Sequence, residues 1–164
     1  MADNQLTFEK DLDNKKIKVT RHFNAPAEDV WSAWTESELL DQWWAPKPWR
    51  TETKAMDFRE GGHWLYAMVG PEGERHWCRA DYKTIDAQKS YTYIDAFCDE
   101  NGVVTDGFPG MDWNVNFVQE QSGTKVIIDI SFKSVADIEK IVEMGFKDGF
   151  IAAMSNLDEI FAGK

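Results

Sequence analysis

Few side chains in this sequence have the spacing of a metal-binding or nucleophilic site. His76 and Cys78 lie two residues apart, which places both on one face of a strand, and His63 is the one further ligand that could join them. A protein zinc site needs three or four such ligands, so we predict neither a metal nor another cofactor. A cysteine–histidine nucleophile pair is not indicated either, because neighbours on one strand face stand side by side.

Five side chains could transfer protons, but their spacing matches no recognisable catalytic constellation. Acid–base chemistry needs a group whose pKa is shifted in a dry pocket. The available groups are Asp57, Tyr66, His76, Tyr93 and Asp95. We therefore expect a protein without catalytic activity. Catalysis stays an alternative that would require two of these groups close together beside a pocket.

Two charged residues alternate in phase with apolar neighbours on predicted strands. Arg21 falls in phase with Val19 and Phe23, and Asp95 falls in phase with Tyr93. A buried charge needs an opposite charge or a ligand to compensate for its lost hydration. For Arg21 we expect a structural ion pair or an edge position open to water, with an anionic ligand as the alternative.

The unusual feature of the composition is its aromatic content. The 164 residues include 8 Trp, 10 Phe and 4 Tyr, and each buried ring removes about 150–250 Å² from water. Many of these rings fall on the predicted inner faces of strands and helices. They indicate either a solid core or a cavity that binds a small apolar molecule, lipid-like or aromatic. We predict the cavity, in contact with Trp34, Trp43, Trp64, Tyr66, Met68, Tyr93, Phe97, Trp113, Phe117, Phe146, Phe150 and Met154.

The elements that must position these rings follow from hydrophobic periodicity. Alternation from Lys15 predicts a strand, and Pro26 begins two short Trp-rich helices, the second with a capping box from Thr35 to Glu38. Six further strands with short turns imply an antiparallel meander. A helical stripe from Phe146 to Phe161 closes the chain, after a short amphipathic piece that Gly145 ends. Gly163 is placed as its C-terminal cap.

The sequence therefore predicts an α+β fold in which a curved antiparallel sheet wraps around a long C-terminal helix, with two short helices after the first strand. We expect residues 15–164 to form one domain and residues 1–14 to be disordered or frayed, because they are polar. Residues 101–110 lack periodicity and contain several Gly and Pro, so we expect a loop near the mouth of the cavity.

The bulk composition excludes several classes of partner. A net charge of −11 would repel a phosphate backbone, so we predict no nucleic-acid binding. No apolar run approaches the roughly 20 residues of a membrane span, so we predict no membrane insertion. The polar first ten residues do not resemble a signal peptide, and we expect a cytoplasmic protein with reduced cysteines.

Several motifs resemble one known family. The order strand, two helices, six strands and helix resembles the helix-grip fold of the START and birch-pollen-allergen superfamily. VTRHFNAP at 19–26, VWSAWT at 30–35 and WWAP at 43–46 resemble the opening of proteins related to the C-terminal domain of the heat-shock protein 90 ATPase activator. DFREGG at 57–62 is similar to the D-x-R-x-G-G turn of that family, and MGF at 144–146 is similar to the start of its closing helix.

The resemblance covers about residues 15–162 and implies the fold more directly than the activity. The superfamily contains ligand carriers, cyclases, hydrolases and co-chaperone domains, and a shared fold does not fix function. Non-catalytic binding of a small apolar ligand is our first expectation. A cyclase- or hydrolase-type enzyme that uses the same cavity is the second, and a domain that acts on a chaperone ATPase, with a chaperone as partner, is the third. The sequence does not indicate an oligomeric state.

Overall fold

The computed structural model describes residues 6–105 and 110–162, which form one antiparallel sheet and four helices. The strand order across the sheet is β1-β2-β8-β7-β6-β5-β4-β3, so six strands follow one another as a meander. The strands are β1 (Leu6–Asp11), β2 (Lys16–Phe23), β3 (Arg50–Met56), β4 (His63–Val69), β5 (Arg75–Asp86), β6 (Ser90–Phe97), β7 (Met111–Glu120) and β8 (Gly123–Ser131).

Alternating burial shows why these segments are strands. In β2 every second side chain is buried, including Ile17 and Val19, while Lys18 faces water. Its partner β8 buries Ile128 and Ile130 in the same register. Side chains of one parity therefore cover the concave face of the sheet, as the period-2 pattern predicts.

The helices are α1 (Ala27–Thr35), α2 (Ser37–Trp43), α3 (Val135–Glu143) and α4 (Phe146–Ala162). The Ser134 hydroxyl accepts a hydrogen bond from the Asp137 backbone N–H and caps α3. Gly145, with a φ of +92°, separates α3 from α4. None of the described helices is long and apolar enough to cross a bilayer.

Two local predictions are wrong. The expected capping box does not form, because the Thr35 hydroxyl donates instead to the Trp31 carbonyl. Glu36 occupies the N-cap position of α2, and its side chain makes no capping hydrogen bond. The frayed segment expected over residues 1–14 is instead a strand from Leu6 to Asp11, paired with β2. Phe8 explains the difference, because its ring packs against that of Phe146, 6.2 Å between centroids. Residues 1–5 and the predicted cap Gly163 lie outside the described residues.

Helix α4 lies against the concave face of the sheet and confirms the predicted helix-grip fold. Its far end contacts β2, where the rings of Phe23 and Phe161 are 5.7 Å apart. Its near end contacts β7, where the rings of Trp113 and Phe150 are 5.5 Å apart. These contacts hold the helix across the sheet. A space remains between the sheet and the start of α4.

Candidate ligand cavity

A cavity of about 240 Å³ lies between the concave face of the sheet, the end of α2 and the first turn of α4. Six of the twelve side chains predicted to contact a ligand line it: Tyr66, Met68, Phe97, Trp113, Phe146 and Phe150. Nine further residues complete the wall: Trp44, Pro46, Cys78, Asp95, Met111, Ile141, Met144, Gly145 and Gly149.

The other six predicted contacts lie behind this wall, as parts of the core. They are Trp34, Trp43, Trp64, Tyr93, Phe117 and Met154. Trp34 packs edge-on against Trp43 with centroids 4.7 Å apart, and the Trp43 indole N–H donates to the Ala33 carbonyl at 2.7 Å. The rings of Trp34, Trp64 and Tyr93 surround a region with no room for a water molecule. The aromatic residues therefore line a cavity in one part of the interior and fill a solid core in another.

Trp44 is the largest wall residue that sequence reasoning missed. Trp43 and Trp44 are consecutive, so they leave α2 about 100° apart, and both are buried. The sequence shows that this helix end is apolar on two sides, but not which side meets a cavity. The loop expected near the mouth supplies no wall residue over 101–105 or at 110, and residues 106–109 lie outside the described part.

Asp95 is the one ionisable acid or base among the described residues of the wall, if the buried Tyr66 and Cys78 are set aside, and its environment is unusual. The residue is 7% exposed, and its Oδ1 atom has no hydrogen-bond partner among the described residues. Burial raises the pKa of Asp95 to about 7, because the charged form loses its hydration, and the Ala96 backbone N–H and the Tyr66 hydroxyl only partly oppose this shift. The sequence indicated the inward phase of Asp95 but not that its Oδ1 atom lacks a hydrogen-bond partner among the described residues.

Tyr66 connects Asp95 to the aromatic wall. The Trp44 indole N–H donates to the Tyr66 hydroxyl at 3.1 Å, and Cys78 is the cross-strand neighbour of Tyr66. Burial raises the pKa of both Tyr66 and Cys78 well above their ordinary values, and the nearby Asp95 charge raises them further. Both groups are therefore neutral at physiological pH, and Asp95 is the single titrating group among the described wall residues.

The cavity reaches the surface at the turn between α3 and α4. Met144 lines it and is 49% exposed, so this side chain lies at the mouth. On α4, a Cβ atom placed on Gly149 would meet the ring of Pro46 at 3.9 Å, which is ordinary van der Waals contact. A larger side chain at this position would extend into the mouth.

The remaining chemistry-bearing residues lie elsewhere. Arg21 is buried and pairs with Asp158 of α4, 2.6 Å between Nη2 and Oδ2, so the structural ion pair expected for it is present. Asp57 pairs with Arg59 at the surface. His76 is exposed beside the ring of Trp49. The described residues contain no cluster of three or more metal-ligating side chains.

Solved structures with this fold come from several bacteria. A solution structure from Arthrobacter aurescens has a TM-score of 0.90 and 26% identity, with 96% of this chain and 92% of that chain covered. A crystal structure from Mycobacterium smegmatis has a TM-score of 0.87 and 24% identity, with 95% and 96% covered. A solution structure from Staphylococcus epidermidis has a TM-score of 0.81 and 28% identity, with 93% and 92% covered.

The family assignment comes from the sequence itself. No curated protein matches the chain significantly. The family described as Activator of Hsp90 ATPase homolog 1-like protein matches residues 24–162, which is most of the chain and includes every residue of the cavity wall. The chain therefore belongs to the Activator of Hsp90 ATPase homolog 1-like protein family.

Proposed function

We propose that this protein binds a small apolar molecule in the cavity between the sheet and α4, without transforming it. The observation that carries this proposal is the cavity of about 240 Å³, whose wall is formed by aromatic, Met and other apolar side chains. A dry cavity of this size would cost about 6 kcal/mol at about 24 cal/mol per Å³. That cost approaches the whole stability of a typical domain, roughly 5–15 kcal/mol, so we expect water or a ligand to fill the cavity.

The volume limits the size of the ligand. An apolar protein cavity of about 150 Å³ is known to accept benzene, so about 240 Å³ suits a molecule of about ten non-hydrogen atoms. A long acyl chain would not fit within the wall. The ligand class that the geometry supports is therefore a single ring with a short substituent, or a compound of similar size.

A homologous series of alkylbenzenes tests this proposal. We expect thermal unfolding to shift upward with toluene, ethylbenzene, propylbenzene and butylbenzene, and the affinity to peak near the three- or four-carbon substituent. Native mass spectrometry should show one equivalent bound. An affinity that simply follows ligand hydrophobicity up to octylbenzene, or no binding by any member, would contradict the proposed cavity.

Gly149 offers a matched pair of variants for the same experiment. Gly149→Leu should place its side chain in the mouth beside Pro46 and abolish propylbenzene binding. Gly149→Ala adds one methyl group where a Cβ meets only ordinary contact, so it should keep binding. Alanine should also stabilise α4 by about 0.5–1 kcal/mol, because glycine is the weaker helix former. Equal binding by both variants would show that ligands sit elsewhere.

An enzyme of cyclase or hydrolase type is the second candidate, and one observation favours it. Asp95 and Tyr66, two of the five proton-transfer candidates, interact beside the cavity, and the pKa of Asp95 is raised to about 7. A carboxyl group with that pKa can serve as acid or base near neutral pH. Recovery of bound compounds with altered mass, in the wild type but not in Asp95→Asn, would establish this candidate over the carrier.

Action on a chaperone ATPase is a third proposal, supported by the description of the matching family. It concerns the protein surface rather than the cavity, so the two functions can be separated. We expect the Gly149→Leu variant to retain any stimulation of an Hsp90 ATPase rate that the wild type shows. An unchanged rate with the wild-type protein would exclude this role.

A further inference from the structure

The wall of the cavity leaves one strong hydrogen-bond acceptor unused. Asp95 lies on β6 with its side chain on the concave face, and its Oδ1 has no partner among the described residues. Buried polar groups are almost always hydrogen-bonded, because a buried acceptor without a donor loses the hydrogen bonds that water would give it. An exception on the wall of a ligand cavity is best explained by a partner that the ligand supplies.

The charges around Asp95 indicate what kind of partner is missing. No basic group among the described residues acts on the carboxyl group. The titratable side chains that interact with it are all neutral or acidic: Tyr66 on β4, Cys78, Asp81 and Tyr82 on β5, Tyr93 on β6, and Cys98. A buried carboxylate is normally paired with a cation. The protein as a whole has a net charge of −11, which also attracts cations.

The rest of the wall suits a cation with an apolar body. The ring centroids of Trp44 and Trp113 are 5.9 Å apart, and that of Phe150 lies 5.5 Å from that of Trp113. Aromatic faces attract ammonium groups as well as ring carbons, and the attraction is stronger where water is excluded. An acidic oxygen among such rings is a known arrangement for recognising an amine.

We propose that the ligand of this cavity is a small amine whose ring-bearing apolar body packs against the aromatic wall and whose ammonium group pairs with the Asp95 carboxylate. This inference rests on the proposed ligand-binding function and gives it a chemical class. It assigns to Asp95 the role of selecting among molecules that fit equally well. The mouth at Met144 and Gly149 would then select ligands by size and shape. It would not select them by charge.

Three probes of nearly equal size separate the cation from other donors. Phenethylamine carries the ammonium group, 2-phenylethanol carries a neutral donor, and propylbenzene carries neither. Calorimetric titration at pH 7.5 should show that phenethylamine binds at least tenfold more tightly than propylbenzene. The affinity for the alcohol should fall between the other two, because its hydroxyl can accept from the Trp113 indole N–H, to which no described residue offers an acceptor.

Asp95→Asn and Asp112→Asn make a matched pair of variants. Both remove one negative charge, but Asp112 lies on β7 with its side chain 49% exposed and paired with Lys83. The Asn variant at position 95 should lose the tenfold preference for phenethylamine and keep propylbenzene binding. The variant at position 112 should keep the preference. Near- and far-ultraviolet circular dichroism would verify that both variants are folded.

The pH profile of the wild type provides a test that does not depend on any variant. Phenethylamine stays protonated between pH 5 and pH 8, whereas Asp95 ionises with a pKa of about 7. The affinity of the protein for phenethylamine should therefore rise about 50-fold from pH 5 to pH 7 and then level. The affinity for propylbenzene should change little. Because Tyr66 and Cys78 stay neutral here, Asp95 is the group that titrates among the wall residues that the structure describes.

The possible results separate this inference from the function on which it rests. The inference of an amine ligand is wrong if propylbenzene binds and phenethylamine binds no better, or if the affinity for phenethylamine is independent of pH. The proposal of an apolar ligand cavity would remain in both cases. If 2-phenylethanol binds as tightly as phenethylamine and still needs Asp95, the ligand is a neutral donor and the amine is again wrong. If none of the three binds, the proposed function fails as well.

Discussion

At the scale of single residues, Asp95 makes the stability of the fold depend on pH. Its pKa is 3.8 in an ordinary environment and about 7 in the folded protein. Between these values the folded state binds more protons than the unfolded state, so the free energy of unfolding falls as the pH rises from about 4 to about 7. The full difference corresponds to about 4 kcal/mol.

Asp95→Asn should remove this loss. The free energy of unfolding of the variant should exceed that of the wild type only slightly at pH 4. This difference should increase through pH 7 and stay constant above it, as measured by urea unfolding at each pH. Comparison with Asp112→Asn removes the effect of net charge. A stability difference that does not grow with pH would show that the Asp95 carboxylate is compensated in the folded protein.

The sequence predicted the chemistry of this site only in part. The alternation of β6 placed Asp95 in phase with Tyr93, which is correct, because one-dimensional parity determines the face of a strand. Parity cannot show whether a cation from another element reaches the residue. Arg21 pairs with an opposite charge, Asp158 on α4, whereas no cation among the described residues reaches Asp95. These two buried charges looked alike in sequence, and tertiary packing distinguishes them.

At the scale of elements, the pair of Arg21 and Asp158 fixes α4 on the sheet. Arg21 is 4% exposed, donates to Asp158 at 2.6 Å and lies 4.7 Å above the ring of Phe23. Asp158→Asn would leave the buried guanidinium without its counter-charge, which should cost about 2–3 kcal/mol of stability, less than for a fully buried pair because Asp158 is 33% exposed.

A double-mutant cycle with Arg21→Met measures the interaction. The methionine keeps the apolar contact without the charge, so Asp158→Asn should cost little in the Arg21→Met background. Lys47 and Glu159 form the control pair, because they also connect α4 to the rest of the chain but are 65% and 68% exposed. That cycle should show no measurable coupling. Equal coupling in both cycles would mean that burial does not strengthen the Arg21 pair.

The elements themselves were the most predictable level. The apolar side chains from Phe146 to Phe161 recur at helical spacing, and α4 begins at the first of them and ends one residue after the last. β1 was not predicted, because Leu6 and Phe8 are too few to show a period. Its strand conformation comes from pairing with β2, which depends on contacts distant in sequence. Edge strands of this kind are decided by tertiary structure.

At the scale of the whole molecule, the charge imbalance opposes folding. The chain has 29 acidic and 18 basic residues, and folding brings the excess acids close together. Salt screens this repulsion, since the Debye length is about 30 Å at 0.01 M and about 8 Å at 0.15 M. The surface ion pairs act in the opposite direction, but exposed pairs contribute little.

We therefore expect sodium chloride to raise the thermal midpoint at pH 7.5 between 0.01 and 0.15 M, with potassium chloride as a control for ion-specific effects. The same salt change should weaken phenethylamine binding and leave propylbenzene binding unchanged, because only the cation is attracted by the acidic protein. A midpoint that falls with salt would show that ion pairs outweigh the excess charge. A midpoint that rises would instead show that stability and amine binding respond to the same surface charge in opposite directions. Salt relieves the repulsion that opposes folding, and it also weakens the attraction that concentrates a cation at the mouth.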